Sequence, residues 1–566
     1  MNNSKKQMVL VVASLVILLI GVITIGSVIG TKSGGDPGGT GNVDDNTPKR
    51  TGKTLEELTK KLSYSESELI KAPINFGDKS NLYDELPDIE KYPLVVEGNG
   101  QVDIEIFTSG EKGGTDFNSW LVRVADSFNR AGYTTASGRS VSMSVRSVAS
   151  GLGADYIISG KSVPDLWTPS NELFGNYAIA QGGKIELLAP RTVGNTAGVL
   201  IRKDLSYKDM NAVIDVVNSG KFNLGYTNPQ SSAAGINTLL YLLKTFGNGD
   251  IESETAIEAF SSFNNNIPFI AYTTQQMIDS ALGGGLDGMI SEYQAYINSE
   301  AMKSEYNFFP FGQRHDNPLY IVDKSHKSED EIEVINLIKD YMLNAESQKI
   351  ATDYGFNALD DYKSDIEVTG TEIVKALDIY KTRKDSGRDI IAVFVADCSG
   401  SMSGEGINSL KESLTNGLQY INDNNYVGLI SYSSDIRLEV PIGKFDLTQK
   451  SYFQGAINNL NAMGGTHSYE AVCVGLSLIE QFRQDKPDAK CMLFLLSDGQ
   501  AGGNYKINTI EQAVIDTSIP IYTIGYTSEA DMKELQALSN INEAASIQAD
   551  TDNIVYTIKS LFNAQL

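Results

Sequence analysis

The apolar positions of this chain fall into short runs separated by turn signals, and the runs change period along the sequence. Ile390-Ile391-Ala392-Val393-Phe394-Val395-Ala396 is unbroken, too short for a helix and rich in β-branched residues, which predicts a strand buried on both faces in a parallel sheet. Gly400, Gly404 and Gly406 follow, then a helical pattern through Leu410, Leu414 and Leu418. Residues 427–433, 492–496 and 521–526 predict further strands, with a helix over 470–482. Upstream, Val102-Asp103-Ile104-Glu105-Ile106-Phe107 alternates as a strand does, followed by a predicted helix (118–131) and strand (140–148). Strands alternating with helices imply a mainly parallel sheet, so the chain predicts two successive α/β units.

The first residues follow a different pattern. Lys5 and Lys6 precede a charge-free run over residues 8–30, long enough to span a bilayer and longer than the apolar region of a typical signal peptide. The expectation is a single-pass transmembrane helix with the lysines cytoplasmic and everything after Thr31 outside; a cleaved signal peptide is the alternative. Residues 31–53, rich in Gly, Asp, Asn and Pro, read as a flexible linker. Thr54-Leu55-Glu56-Glu57 reads as a capping box opening a short helix within a connector, 54–98, to which no function is assigned.

A chain of 566 residues is too long for one core. Its net charge of −25 excludes nucleic-acid or anionic-membrane binding through a basic surface and fits an extracellular setting. Cys398, Cys473 and Cys491 form neither a disulfide framework nor a zinc spacing and are expected as buried thiols. Of His315, His326 and His467, only His467 stands near a candidate site, and no nucleophile–base set or metalloprotease motif accompanies it. The chain reads as a binding protein, not an enzyme.

The strongest chemistry lies where the 390–396 strand ends. Asp397-Cys398-Ser399-Gly400-Ser401-Met402 puts a carboxylate and two hydroxyls in five residues, at the carboxyl edge of a sheet, a set of hard oxygen donors suited to Mg²⁺. Gly464-Gly465-Thr466 adds a hydroxyl before a helix, and Asp498 follows another strand. Each alone reads equally as a strand-to-helix turn, where Ser, Asp and Gly belong anyway. Together, in this order, they resemble the von Willebrand factor A domain and its metal-ion-dependent adhesion site, over residues 389–566. The resemblance implies a Rossmann-like fold in which Ser399, Ser401 and Thr466 bind Mg²⁺ (or Mn²⁺ or Ca²⁺) directly. It further implies that Asp397 and Asp498 act largely through water, and that one position stays open for a carboxylate of a protein partner. Cys398 occupies a variable position of that motif, where cysteine is less common, and does not touch the ligand set.

The upstream unit carries Pro164-Asp165-Leu166-Trp167, the helix-opening turn Tyr226-Thr227-Asn228-Pro229-Gln230-Ser231-Ser232-Ala233-Ala234-Gly235, and a closing strand and helix from Leu319-Tyr320-Ile321-Val322 through Gly355-Phe356. These resemble the extracellular solute-binding proteins of ABC importers, especially the molybdate and iron binders, over a domain at 99–365. The implied architecture is α/β, a periplasmic-binding-protein-like clamshell followed by a Rossmann-like domain, with an N-terminal transmembrane helix. The candidate cleft residues are Thr108, Ser109, Thr168, Ser170, Asn228, Ser231, Ser232 and Glu292; the alternative for each Ser, Thr or Asn is a plain helix or turn cap. Free amides at the start of the helix over 236–245 suit an anion, so the expected solute is small and anionic or polar, near Ser231 and Ser232; a clamshell that binds nothing stays open. Trp120 and Trp167 are expected in the core. A helix at 371–383, within an inter-domain segment 366–388, presents Ile373, Val374, Leu377 and Tyr380 on one face, for packing between the domains or as a lever transmitting cleft closure. Two functions follow: a membrane-anchored extracellular protein that captures an acidic group on a protein partner through the metal, or a solute receptor or transport accessory.

Overall fold

The structure of the chain, a computed structural model, describes residues 51–74, 82–267, 269–271, 277–278, 281–282, 286–384, 388–418, 421–499, 502–526, 530–542 and 546–549. The expected membrane helix (residues 8–30) lies outside the described residues, as does the linker up to residue 50. No helix among the described residues is long and apolar enough to cross a membrane.

In chain order the elements used below are α1 (Thr51–Thr59), β1 (Ser65–Glu66), β2 (Leu94–Val96), β3 (Val102–Thr108), α2 (Trp120–Ala131), β4 (Val141–Ser147), α3 (Ser150–Ser159), β5 (Leu166–Thr168), β6 (Ile185–Ala189), β7 (Asn195–Arg202), β8 (Leu224–Thr227) and α4 (Ala233–Phe246). They continue with β9 (Phe269–Ala271), β10 (Gly288–Glu292), β11 (Tyr306–His315), β12 (Leu319–Val322), α5 (Gly370–Arg383), β13 (Ile390–Asp397), β14 (Tyr426–Tyr432), β15 (Ile436–Lys444), α6 (Ser468–Arg483), β16 (Lys490–Ser497), α7 (Ile507–Thr517), β17 (Ile521–Tyr526) and β18 (Ser546–Ala549).

Among the described residues the strands form three sheets, ordered β2-β4-β3-β5-β12-β6, β11-β7-β10-β8-β9 and β1-β15-β14-β13-β16-β17-β18. The first two are the lobes of the upstream domain. The chain leaves the first lobe after β6 and returns between β11 and β12, so two short crossings form the hinge. Asn317 sits in the second crossing with φ 47 and binds across to the first: its carbonyl accepts from Thr192 N–H (3.0 Å) and its Nδ2 donates to Val193 O (3.0 Å). The lobes also touch across the cleft, where Gln294 Nε2 donates to Phe117 O (2.9 Å) and Asn118 Oδ1 (3.1 Å). At Gly151 a Cβ would stand 2.4 Å from Gln230 O, so the absent side chain is what lets the lobes close there.

The third sheet is built around β13, which pairs in parallel with β14 and β16 and is buried along its whole length. Its residues alternate between two cores: Ile390, Ala392, Phe394 and Ala396 enter one, and Ile391, Val393 and Val395 the other. Phe394 stacks on Phe494, and Phe494 on Tyr522, with centroids 5.0 and 5.3 Å apart, a ladder running across three strands. Trp120 and Trp167 are core residues, as expected, and the three cysteines are buried free thiols.

Two segments pack differently from their sequence reading. The connector divides. Its first part belongs to the third sheet: β1 pairs in parallel with β15, Leu55 on α1 is 3% exposed in the core beneath α6 and α7, and Tyr505 Oη donates to Leu58 O (2.9 Å). Its second part caps the first lobe through β2 on β4 and a hydrogen bond from Tyr156 Oη to Pro87 O (2.7 Å). Helix α1 also starts at Thr51, upstream of the expected capping box, and Thr54 Oγ1, inside the helix, donates to Asp516 Oδ2 (3.1 Å). Helix α5 does not bridge the domains: Ile373, Ala376 and Tyr380 are buried in the core of the upstream domain, and Glu372 pairs with Lys244 on α4 (2.6 Å).

Leu55→Ala should therefore destabilise the downstream domain by about 2–5 kcal/mol, the range for emptying a buried leucine site, although residue 55 precedes the upstream domain in the chain. Urea denaturation followed through a signal from the third sheet checks this.

Candidate functional site

Two places gather polar chemistry. The first is the carboxyl edge of the third sheet. Because β13 and β16 are parallel and in register (Ala396 opposite Leu496), their ends bring Asp397 and Asp498 to the same edge. Asp397 is fully buried and held from three sides: Oδ1 accepts from Ser399 N–H (2.8 Å), and Oδ2 accepts from Tyr432 Oη (2.9 Å) and Ser497 Oγ (2.6 Å). Burial pushes its carboxyl above the ordinary range; hydrogen bonds from Ser399 and Ser497 oppose this, and the Asp498 charge adds to it. Burial likewise drives the Tyr432 phenol up, reinforced by the Asp397 charge.

Ser399 Oγ lies 3.0 Å from Ser401 Oγ, so the two hydroxyls share one locale. The loop bearing Thr466 is stitched to this turn by Met463 N–H on Cys398 O (2.8 Å) and Gly400 N–H on Gly464 O (3.1 Å), and to the segment after β14 by His467 N–H on Ser433 O (3.0 Å). Gly464 has φ +76 and a Cβ there would lie 2.8 Å from Ser434 Oγ, so glycine is required for that approach. All five expected residues thus sit on turns at one edge. Their donors are oxygens only, two carboxylates and three hydroxyls, which fits a hard divalent cation and does not fit zinc or copper. Among the described residues no group of three or more His, Cys, Asp or Glu side chains could hold a metal. Sequence reading missed Tyr432, Ser497 and Glu470. The last, 3% exposed, accepts from Asn504 N–H (2.6 Å) and Tyr505 N–H (3.0 Å) and so fixes the loop beside Thr466 and His467.

The second place is a cavity of about 610 Å³ between the lobes. Of the eight expected residues, Ser109, Ser170, Ser231, Ser232 and Glu292 line it. Thr108, Thr168 and Asn228 do not. Thr108 and Thr168 pair across β3 and β5 with buried hydroxyls, and the wall is reached by Ser109 and Ser170, which lie beyond the ends of those strands. Asn228 Oδ1 accepts from Gln230 N–H (3.0 Å) and shapes the turn before α4. Ser232 caps α4, accepting from Gly235 N–H (3.3 Å).

The charged part of the wall was not foreseen. Lys112 is fully buried, and its Nζ donates to Ser109 Oγ (2.6 Å), Glu111 Oε1 (2.9 Å) and Asn317 Oδ1 (2.5 Å). Burial lowers the Lys112 ammonium below its usual range, opposed by the Glu111 charge. Burial pushes the Glu111 carboxyl up, but Lys112 and the Ser109 hydrogen bond outweigh it and hold it low. Glu292 Oε1 meets His315 Nδ1 (2.5 Å), and Oε2 accepts from Asn195 Nδ2 (3.1 Å). The one visible signal in the sequence was Glu111-Lys112 directly after the strand-end Ser109-Gly110.

Residues 392–563 match the family model of the von Willebrand factor type A domain, and residues 113–357 that of the bacterial extracellular solute-binding protein. Over 173 residues the chain is 27% identical to inter-alpha-trypsin inhibitor heavy chain H3 of Mus musculus, a match covering 28% of this chain and 19% of that one, so the chain spans about a fifth of that relative's length. Among solved structures it is similar to a von Willebrand factor type A protein from Catenulispora acidiphila (18% identity, 31% of this chain and 42% of that one, TM-score 0.29). It is also similar to the sulfate-binding protein SubI from Mycobacterium tuberculosis H37Rv (16% identity, 50% and 92%, TM-score 0.35). The chain therefore joins two modules of kinds that typically bind or interact.

Tyr432→Phe should lower stability by about 1.5–3 kcal/mol, the range for a hydrogen bond to a charged group, without moving the Asp397 backbone. Chemical denaturation in EDTA measures the loss.

Proposed function

We propose that the chain is an extracellular binding protein whose von Willebrand factor type A domain engages an acidic group on a protein partner through a divalent cation, Mg²⁺ first among candidates. The observation that carries this reading is the convergence of Asp397, Ser399 and Ser401 with Asp498 and the Thr466 loop on one sheet edge, in an all-oxygen set. The five residues would hold the cation, and when bound it would supply a Lewis-acidic position for a partner's carboxylate. The chain's own contribution is to hold these donors in place: Tyr432 and Ser497 fix the Asp397 carboxylate, and the 463–467 loop is locked to the turn it must face. Residues 8–30 would anchor the protein in the membrane with both domains outside.

A second reading, favoured by the cavity between the lobes, is capture of a small solute by the upstream domain. The two activities are compatible in one chain, one at a sheet edge and the other in a cleft.

Thermal melts in EDTA and in millimolar Mg²⁺ test the first reading. Wild type should gain stability, by about 2.7 kcal/mol when Mg²⁺ is a hundredfold above its dissociation constant, and Asp397→Ala and Asp498→Ala should gain none. Equal gains in all three proteins would place the cation elsewhere. Mass spectrometry of the mature N-terminus tests the anchor, which fails if a new terminus appears near residue 30.

A further inference from the structure

We propose that the cleft of the upstream domain receives a small molecule bearing an ammonium or similar organic cation, seated against Glu292 and Glu111, and not an oxyanion. This inference rests on the reading of that cleft as a solute site.

Glu111 and Glu292 are the charged residues among those lining the cavity. Lys112 lies close behind but offers a ligand nothing: an ammonium has three N–H donors, and Ser109, Glu111 and Asn317 take all three. It offsets one of the two carboxylates and leaves the other.

His315 does not offset the second. Asn237 is oriented by a pair of backbone bonds, its Oδ1 accepting from Gln313 N–H (2.9 Å) and its Nδ2 donating to Gln313 O (2.9 Å). That orientation turns the Asn237 amide N–H groups toward His315 Nε2 (3.2 Å), as Asn171 Nδ2 is also turned (3.2 Å). A ring nitrogen faced by donors is the acceptor, so the proton is on Nδ1, where it is donated to Glu292. His315 is thus a neutral donor that holds the carboxylate in position. Asn195 holds the other oxygen and is itself fixed by Thr196 N–H (2.9 Å) and Gln294 N–H (3.2 Å) on its Oδ1. The result is a preorganised carboxylate, most of it buried, whose partners are neutral.

The opposing influence is the start of α4, worth about half a positive charge. Its first turn is already capped by Ser232, whose Oγ also receives the Thr227 hydroxyl (2.6 Å), so an oxyanion placed there would meet a partly satisfied helix end and two nearby carboxylates. The cavity volume of about 610 Å³ is that of a small-molecule site.

The test uses the full chain in detergent with EDTA and about 0.15 M salt, where non-specific attraction to the acidic surface is screened. Melting temperature and calorimetric affinity are measured with putrescine, L-arginine and glycine betaine as organic cations, sulfate and molybdate as oxyanions, and maltose as a neutral probe. The expected result is stabilisation by at least one organic cation, with affinity reduced tenfold or more in Glu292→Gln, whose amide can still accept from His315. Glu111→Gln should weaken the same probe several-fold and guards against a Glu292 variant that does not fold. Stabilisation by sulfate, molybdate or maltose without the cations would overturn the ligand class while leaving the solute reading standing. Undiminished cation binding in both variants would overturn the site. No shift with any of the six probes would overturn the solute reading, and this inference with it.

Discussion

The downstream domain depends on the burial of β13 on both faces. A strand whose odd and even residues enter separate apolar cores cannot slip by one residue without exchanging the two sets, so its register against β14 and β16 is fixed. Fixed register determines where the strand ends, and hence that Asp397 emerges level with the end of β16. The polar site follows from the apolar core. Once the carboxylate is buried there, Tyr432 and Ser497 on the neighbouring strands become necessary, because a buried carboxylate without donors is far more costly than one with three.

The cleft of the upstream domain is governed by the same rule with opposite sign. Lys112 can be buried only because three acceptors converge on it, one of them from the hinge residue Asn317. The lysine thereby ties the wall of the first lobe to the crossing on which the lobes turn. His315 plays a similar part at the end of β11, meeting Asn171 of the first lobe and Asn237 of the second on one ring nitrogen. Charge, hinge and cavity wall form one hydrogen-bonded network.

What was legible in the sequence follows from this physics. The β13 run and the Asp397, Ser399 and Ser401 turn are contiguous, so local pattern alone located them. Tyr432 and Ser497 belong to the same cluster but lie 35 and 100 residues away, and only the fold unites them. Ser65–Glu66 is two exposed residues with no periodicity, so nothing marked it as a strand. Lys112 runs against the expectation that lysine stays in water, and the signal that could have found it was its position just past a strand end. Thr108, Thr168 and Asn228 were the right residue types at strand ends, but the threonine hydroxyls are buried between paired strands and the turn claimed the asparagine.

The placement of β1 has a mechanical consequence. The sheet that carries Asp397 takes strands from both sides of the upstream domain, β1 before it and β13 after it, so that domain is an insertion tethered at two points. A body joined by one tether can tumble; one joined by two keeps rotation about the line between them and loses most other freedom. Tension along the chain would also load the two domains in sequence: pulling from the N-terminal side reaches α1 and β1, at the rim of the downstream domain, before any force passes to the hinge of the cleft.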